Sequence, residues 1–257
     1  MRGVWVDAFG EGIRSEAEVA ALVDWAGHAG IDTLVAQVVR RGDAFANSLP
    51  VPRAEADLAP VPFDPLAVLC DRAHAAGIAV HAWLGATPVA QGGAVEDRFL
   101  PWLSRRVDGA DRDRHGIAHL DPGHPGARRF VAGCAAAIAS RYPVDGVSLD
   151  RVRYPESASR GRAEWGGNAE ALARFAADSG EGRPGDEAWP DPSNPAWQAW
   201  RRAQVTALVA ETVAAVRAVR DDVTVSATGT CFGGLEAGWT SSRPWVECGQ
   251  DWRGWLD

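Results

Sequence analysis

Asp145-Gly146-Val147-Ser148-Leu149-Asp150-Arg151-Val152-Arg153-Tyr154-Pro155 decides how this chain folds. Asp-Gly turns the chain, and Val147–Asp150 has the composition of a short strand. The segment then breaks into a polar loop rich in Gly, Pro, Asp and Trp, from Arg151 to Pro195. Upstream, Phe130, Val131, Cys134 and Ile138 lie at helical spacing in a run that opens at Pro125 and ends near Tyr142-Pro143. A helix therefore enters a strand through a tight turn, and the strand leaves through a long loop.

The same unit recurs outward. Strands are predicted at Val4–Asp7, Thr33–Val39, Ile78–Leu84 and Val223–Thr228. A helix opens at Ser15, with Glu18 completing a capping box, and stops at Gly30; another runs from the Asp64 cap to Gly77. A short helix is predicted around Phe99–Arg106 and a long one over Trp197–Arg220. Alternating strands and helices imply βαβ units and a parallel sheet. The long loops, 40–63, 85–124 and 151–195, all follow strands, whereas the turns after helices are tight. That asymmetry belongs to a (β/α)8 TIM barrel, whose functional loops lie at the carboxyl ends of the strands. A doubly wound sheet shares the local pattern. However, Phe9-Gly-Glu-Gly-Ile-Arg14 lacks the third glycine of a dinucleotide fingerprint, and no phosphate-binding loop is present.

The expectation is a single α/β domain over residues 1–257, of (β/α)8 TIM-barrel type. A complete barrel takes about 250 residues, yet only five strands are counted by Thr228. Asp251–Leu256 reads as the start of another helix. The barrel is therefore expected to be incomplete, with about five β/α units, its C-terminal strands missing and strand five left as an open edge.

Composition narrows the function. The chain has 257 residues, a formal charge of −8 and 46% hydrophobic residues, enough for a sizeable core. All 26 basic residues are arginine. The acidic balance argues against a nucleic-acid partner. No run is apolar enough to span a membrane. The start, Met1-Arg2-Gly3-Val4-Trp5, reads directly into a strand with no signal peptide, which implies a cytoplasmic protein or a leader already removed. Cys70 and Cys134 sit in alanine-rich helical patterns and read as core, while Cys231 and Cys248 leave a pairing across a loop open. Twelve tryptophans against two tyrosines supply material for a core and for stacking on sugar rings. Trp5, Trp25, Trp197 and Trp200 lie on predicted elements and read as core. Trp102, Trp165, Trp189, Trp239 and Trp245 lie in post-strand loops and read as nearer a ligand.

Asp150 is placed at the carboxyl end of strand four, with Arg153 and Tyr154 close behind. A carboxylate there suits a nucleophile or an oxocarbenium stabiliser; a structural salt bridge to Arg153 or Arg40 is the alternative. His119 and Asp121 alternate on an extended segment and share a face, although Asp121-Pro122-Gly123 also suits a turn. His81 and Trp83 share one face of strand three, as hydroxyl partner and sugar platform or as barrel packing. Arg40 and Asp43 lie just beyond strand two. No Gly-x-Ser-x-Gly elbow or His-Glu-x-x-His helix occurs, and a zinc site from His81, His119 and Asp121 has no signature. No metal and no cofactor are expected.

In one order, Arg2-Gly-Val-Trp-Val, Gly42-Asp-Ala-Phe, Phe63-Asp-Pro-Leu, Ala73-His-Ala-Ala-Gly, His81-Ala-Trp-Leu, His119-Leu-Asp-Pro-Gly and Asp145-Gly-Val-Ser-Leu-Asp-Arg-Val-Arg-Tyr-Pro resemble the glycosyl hydrolase-like 10 family. The resemblance implies a (β/α)8 barrel, hydrolysis of glycosidic bonds, and a place in the cell envelope or outside the cell. Some family members act on peptidoglycan glycan strands. Where relatives carry Asn-Pro after His-Ala-Trp-Leu, this chain has Gly85-Ala86. The strand-four run also looks like the nucleophile strand of the α-amylase clan. A chitinase-type strand needs a glutamate where Val152 stands, which excludes that mechanism.

The resulting expectation is a hydrolase of a bacterial polysaccharide. Asp150 acts as nucleophile or charge stabiliser and Glu156 as the acid, with Glu164 and Glu236 as other loop candidates. Arg40, Asp43, His81, Trp83, His119, Asp121, Arg153, Tyr154 and Trp165 line the substrate. The alternatives are a catalytically inactive carbohydrate-binding barrel and an unrelated α/β enzyme with a small-molecule substrate.

Overall fold

Ser15 has extended backbone and accepts the Glu18 amide at 3.3 Å, so α1 (Glu16–His28) begins where the sequence predicts. The Glu18 carboxylate caps the Gly12 and Arg14 amides instead of returning to Ser15. At the far end Gly30 takes φ 66°, and the Ile31 amide donates to Ala26, which drops the chain into a strand within two residues. α2 (Pro65–Ala75) repeats this: Asp64 caps it, Gly77 takes φ 71°, and the Ile78 amide donates to Ala73. These two exits make the tight helix-to-strand turns.

The computed structural model describes residues 2–180, 189–231 and 238–256. In chain order the strands are β1 (Gly3–Val6), β2 (Thr33–Val39), β3 (Ala79–Gly85), β4 (Pro88–Gln91), β5 (Ile117–His119), β6 (Gly146–Asp150) and β7 (Thr224–Ala227). The further helices are α3 (Pro125–Arg141), α4 (Ala169–Ser179), α5 (Pro195–Arg217) and α6 (Arg243–Val246). The chain forms two units. One comprises residues 1–85, 132–150 and 212–227; the other comprises 86–131, 151–211 and 228–257.

The first unit holds a five-stranded sheet in the order β1-β2-β3-β6-β7, with every neighbouring pair parallel. Among the described residues the sheet does not close, and β1 and β7 are its edges. This is the α/β fold and the open five-strand count that the sequence predicts. Leu34, Ala36, Val38, Val80, Ala82, Leu84, Val147 and Leu149 are buried on one face of the sheet. The buried side chains of α1 and α2, including Val19, Val23, Leu66, Leu69 and Cys70, belong to the same core. The opposite face carries Trp5, Val35, His81, Trp83, Ser148 and Asp150, and is less covered. Trp5 and Trp83 meet edge-to-face at 5.0 Å. Gly146 is required on this face, because a Cβ there would lie 2.5 Å from His81 Nδ1.

The second unit pairs β4 with β5 antiparallel and packs Ala163, Ala171, Phe175, Trp197 and Trp200 into a cluster. Trp197 and Trp200 stack with an interplanar angle of 11°. β4, β5 and α4 are not read from the sequence: their segments are short, alanine-rich and embedded in polar chain. The short helix of the third loop is a 3-10 turn at Asp97–Trp102, a few residues early. Asp251–Leu256 forms turns rather than the start of a helix. Cys231 and Cys248 are both free, Cys231 exposed and Cys248 buried, so they do not pair. No helix of the described residues is long and apolar enough to cross a membrane.

The tryptophans keep only part of their expected division: Trp197 and Trp200 are core, as predicted. Trp5 and Trp25, read as core, are 49% and 52% exposed. Among the loop tryptophans, Trp165 is fully buried, Trp102 packs on Phe99 and Phe130, and Trp189 packs on Trp197. The indole-rich loops build their own cores.

Candidate active site

In the first unit, the carboxyl ends of β2, β3 and β6 carry the strand-end residues. Asp150 closes β6 and sits opposite Gly85 in register. Gly85 has a packing reason: a Cβ would lie 2.6 Å from the Arg40 carbonyl oxygen. Arg40 pairs with Asp43 and, at 2.8 Å, with Asp57. It also donates to the Ala8 carbonyl at 3.1 Å and covers the rings of Phe9 and Phe45. Burial works against its charge, but the two carboxylates more than offset this and hold the guanidinium above its ordinary value. Arg40 and Asp43 thus clamp the loops after β1 and β2. Both side chains stay partly exposed, at 17% and 27%.

His81 and Trp83 do share a face of β3, as predicted. Burial pushes the His81 imidazole down, against a smaller pull from Asp145. The Trp83 indole nitrogen is buried without a hydrogen-bond partner, and its ring meets Trp5.

The second unit contains a pocket of about 120 Å³ formed by segments 113–119 and 151–156. It brings together four predicted residues, His119, Arg153, Tyr154 and Glu156, and adds Asp113, Arg114, His115 and Arg151. Arg151, the residue after Asp150, takes φ 51°, a left-handed conformation that costs a non-glycine residue about 1–2 kcal/mol. Among the described residues no carboxylate pairs with its guanidinium. His119 is buried, with Nε2 3.0 Å from Asp113 Oδ2 and Nδ1 3.1 Å from Thr87 Oγ1. Burial pushes the imidazole down, against the pull of Asp113. Asp113 is held well below the usual carboxylate range: burial opposes this, but His119 and the Ile117 and His115 amides outweigh it.

Beneath the pocket the Tyr154 hydroxyl donates to Asp121 Oδ1 at 3.1 Å, and the Arg201 guanidinium lies 4.1 Å from the Tyr154 ring centroid. Asp121 is completely buried and accepts the Gly123 amide at 2.8 Å; burial pushes its carboxyl up. Burial, with Asp121 alongside, holds the Tyr154 phenol well above its ordinary value. Trp165 packs with Tyr154 and Val205 and donates to the Glu156 carbonyl at 3.3 Å. Asp121 and Trp165 are therefore supports. Neither exposes a surface to a sugar, which corrects their lining role.

Glu156 lies within ion-pair distance of Arg114, Arg153 and Arg243, at 3.1, 3.8 and 3.3 Å. Glu156 is thus the shared carboxylate partner of three guanidiniums. Glu164 is buried and caps the Ala158 and Ser159 amides. Glu236 lies outside the described residues. Of the pocket residues that the sequence did not single out, Asp113, Arg114 and His115 lie in Asp111-Arg-Asp-Arg-His115, a dense charge run that ends four residues before His119. Such a run reads as solvated until β5 folds it back.

The glycosyl hydrolase-like 10 family model matches residues 1–257. This chain belongs to that family. Within 168 aligned residues it is 30% identical to the glycosyl hydrolase DigH of Escherichia coli (strain K12), covering 56% of this chain and 36% of DigH. The chain thus spans about a third of the length of the curated relatives it matches. Among solved structures it is similar to the PgaB (BpsB) glycoside hydrolase domain from Bordetella bronchiseptica, with a TM-score of 0.66 at 16% identity over 97% of this chain and 69% of that one. It is also similar to α-L-fucosidase isoenzyme 2 from Paenibacillus thiaminolyticus, with a TM-score of 0.63 at 17% identity over 91% of this chain and 34% of that one. At these identities the likeness establishes the fold. With the family, it makes this a glycosyl hydrolase-like protein on a TIM-barrel-type α/β scaffold.

Proposed function

We propose that the chain hydrolyses glycosidic bonds in a carboxylate-bearing bacterial polysaccharide of the cell envelope, peptidoglycan glycan strands being the first to test. The family match across residues 1–257 carries the reading. Two further features support it. Asp150 stands at the carboxyl end of a parallel strand, where barrel enzymes keep their chemistry. The next residues, Arg151 and Arg153, line a pocket whose arginines suit an acidic sugar. Asp150 is proposed as nucleophile or oxocarbenium stabiliser, with His81 and Trp83 on the same sheet face of the first unit.

Hydrolysis requires a second carboxyl, about 5–5.5 Å from the first for retention or about 6.5–9.5 Å for inversion. Glu156, Asp113 and Asp43 are all engaged in ion pairs or with amides. That observation favours a second reading, a glycan-binding protein without hydrolysis. Digestion of purified peptidoglycan and other bacterial glycans, followed by product mass analysis, separates the two. New reducing ends support hydrolysis; glycan binding with no product supports the second reading; neither result on any glycan defeats both.

A further inference from the structure

The chain of contacts from Asp113 through His119 to Thr87 is unused in the reading above, and it has a definite proton count. Thr87 Oγ1 lies 2.9 Å from the Arg151 carbonyl oxygen, 3.3 Å from that of Arg153 and 3.1 Å from His119 Nδ1. A carbonyl only accepts, so when the single hydroxyl proton goes to the backbone, Nδ1 must carry a proton and donate to the hydroxyl oxygen. His119 Nε2 faces the Asp113 carboxylate at 3.0 Å, so it also carries a proton. With every contact made, His119 is an imidazolium and the relay ends on the Arg151 carbonyl.

That carbonyl belongs to the non-glycine residue held at φ 51°, a conformation that persists only where its surroundings support it. Its other donor is the Arg153 amide at 2.9 Å. When Nδ1 gives its proton to water it becomes an acceptor. The Thr87 hydroxyl then rotates to donate to Nδ1, and the Arg151 carbonyl keeps the Arg153 amide alone. No covalent bond other than N–H changes.

We propose that His119 and Thr87 are positioning residues: protonated His119, working through the Thr87 hydroxyl, holds the Arg151–Arg153 turn in its ligand-receiving form, and deprotonation releases it. What the turn receives rests on the proposed glycan reading; the relay itself does not. From the 113–119 segment, Asp113 favours the imidazolium, with Arg114 and His115 lining the same pocket. From the 151–156 segment, Arg151 and Arg153 oppose it and Glu156 lines the pocket. Thr87 is the polar contact from the residues before β4. Burial places the release below the ordinary histidine range.

The test is heteronuclear NMR on the full chain, following the His119 ring nitrogens and the Arg151 and Arg153 amides against pH. The amides are expected to shift with the midpoint of His119. Thr87→Val should lose that shift and Thr87→Ser should keep it. A trisaccharide of galacturonic acid is the binding probe, and its affinity should fall severalfold across the same midpoint in wild type and Thr87→Ser alone. Amides that ignore the His119 midpoint, or that still follow it in Thr87→Val, overturn the relay. If Thr87→Val does not fold, the wild-type co-titration decides by itself. Co-titration without trisaccharide binding at any pH upholds the relay and counts against an acidic-sugar ligand at this pocket.

Discussion

Two glycines separate tight packing from idle flexibility. Gly146 has the His81 imidazole where a Cβ would go, so Gly146→Ala should destabilise the protein by about 1–3 kcal/mol, the usual range for overpacking. Gly133 lies in α3, is exposed, and has open space around its missing Cβ. Gly133→Ala should therefore add about 0.5–1 kcal/mol through helix propensity. Denaturant midpoints at constant m-value read both, and the opposite signs are the check. Asp145 offers a pH signature. Its carboxylate accepts the Val80 amide at 2.7 Å and pairs with His74 at 2.9 Å; although burial opposes this, its pKa is lowered. A depressed carboxylate stabilises the fold above its unfolded pKa of about 3.9 and loses that contribution as pH falls through the folded value. Wild type should therefore lose stability on acidification below about pH 4, and Asp145→Asn should flatten that part of the curve. A wild-type stability curve unaffected by the substitution would remove Asp145 from the explanation.

Among the elements, Asn168 is the most exposed to test. Its side chain caps α4 through the Glu170 amide at 3.0 Å and donates to the Pro101 and Leu103 carbonyls at 2.8 and 3.1 Å. Asn168→Ala removes a cap and leaves two carbonyls without a donor, so a loss of about 2–3 kcal/mol is expected in chemical denaturation. The α4 helix was not legible in the sequence, because Ala171, Leu172 and Phe175 make a thin stripe inside polar chain. The strands β2, β3 and β6 were legible, because β-branched or apolar runs follow glycine or Asp-Gly turns. The site divides along the same line. Asp150 and Arg153 follow from a strand boundary. Thr87, Asp113 and Arg151 do not, because what joins them is the folding of β4 onto β5 and a left-handed backbone, neither of which leaves a local signal. Glu156 shows the converse: a carboxylate two residues from Tyr154 looked like an acid, and only the folded chain shows that Arg114, Arg153 and Arg243 surround it.

For the whole molecule, the tryptophan excess changes meaning. Trp165, Trp197 and Trp200 are structural, so replacing Trp197 with Ala should cost about 3–5 kcal/mol, as for other buried aromatics. Indole content is thus poor support for a sugar site, and the function rests on the family, the strand end and the arginine pocket. The decisive comparison is the rate of glycan cleavage by wild type and by Asp150→Asn, on the polysaccharide that wild type degrades, with both proteins shown to be folded and to bind it. Removing a nucleophile or charge stabiliser should lower the rate by about 10³-fold or more while binding persists. A variant that cleaves at the wild-type rate would contradict the assignment of Asp150 to the chemistry.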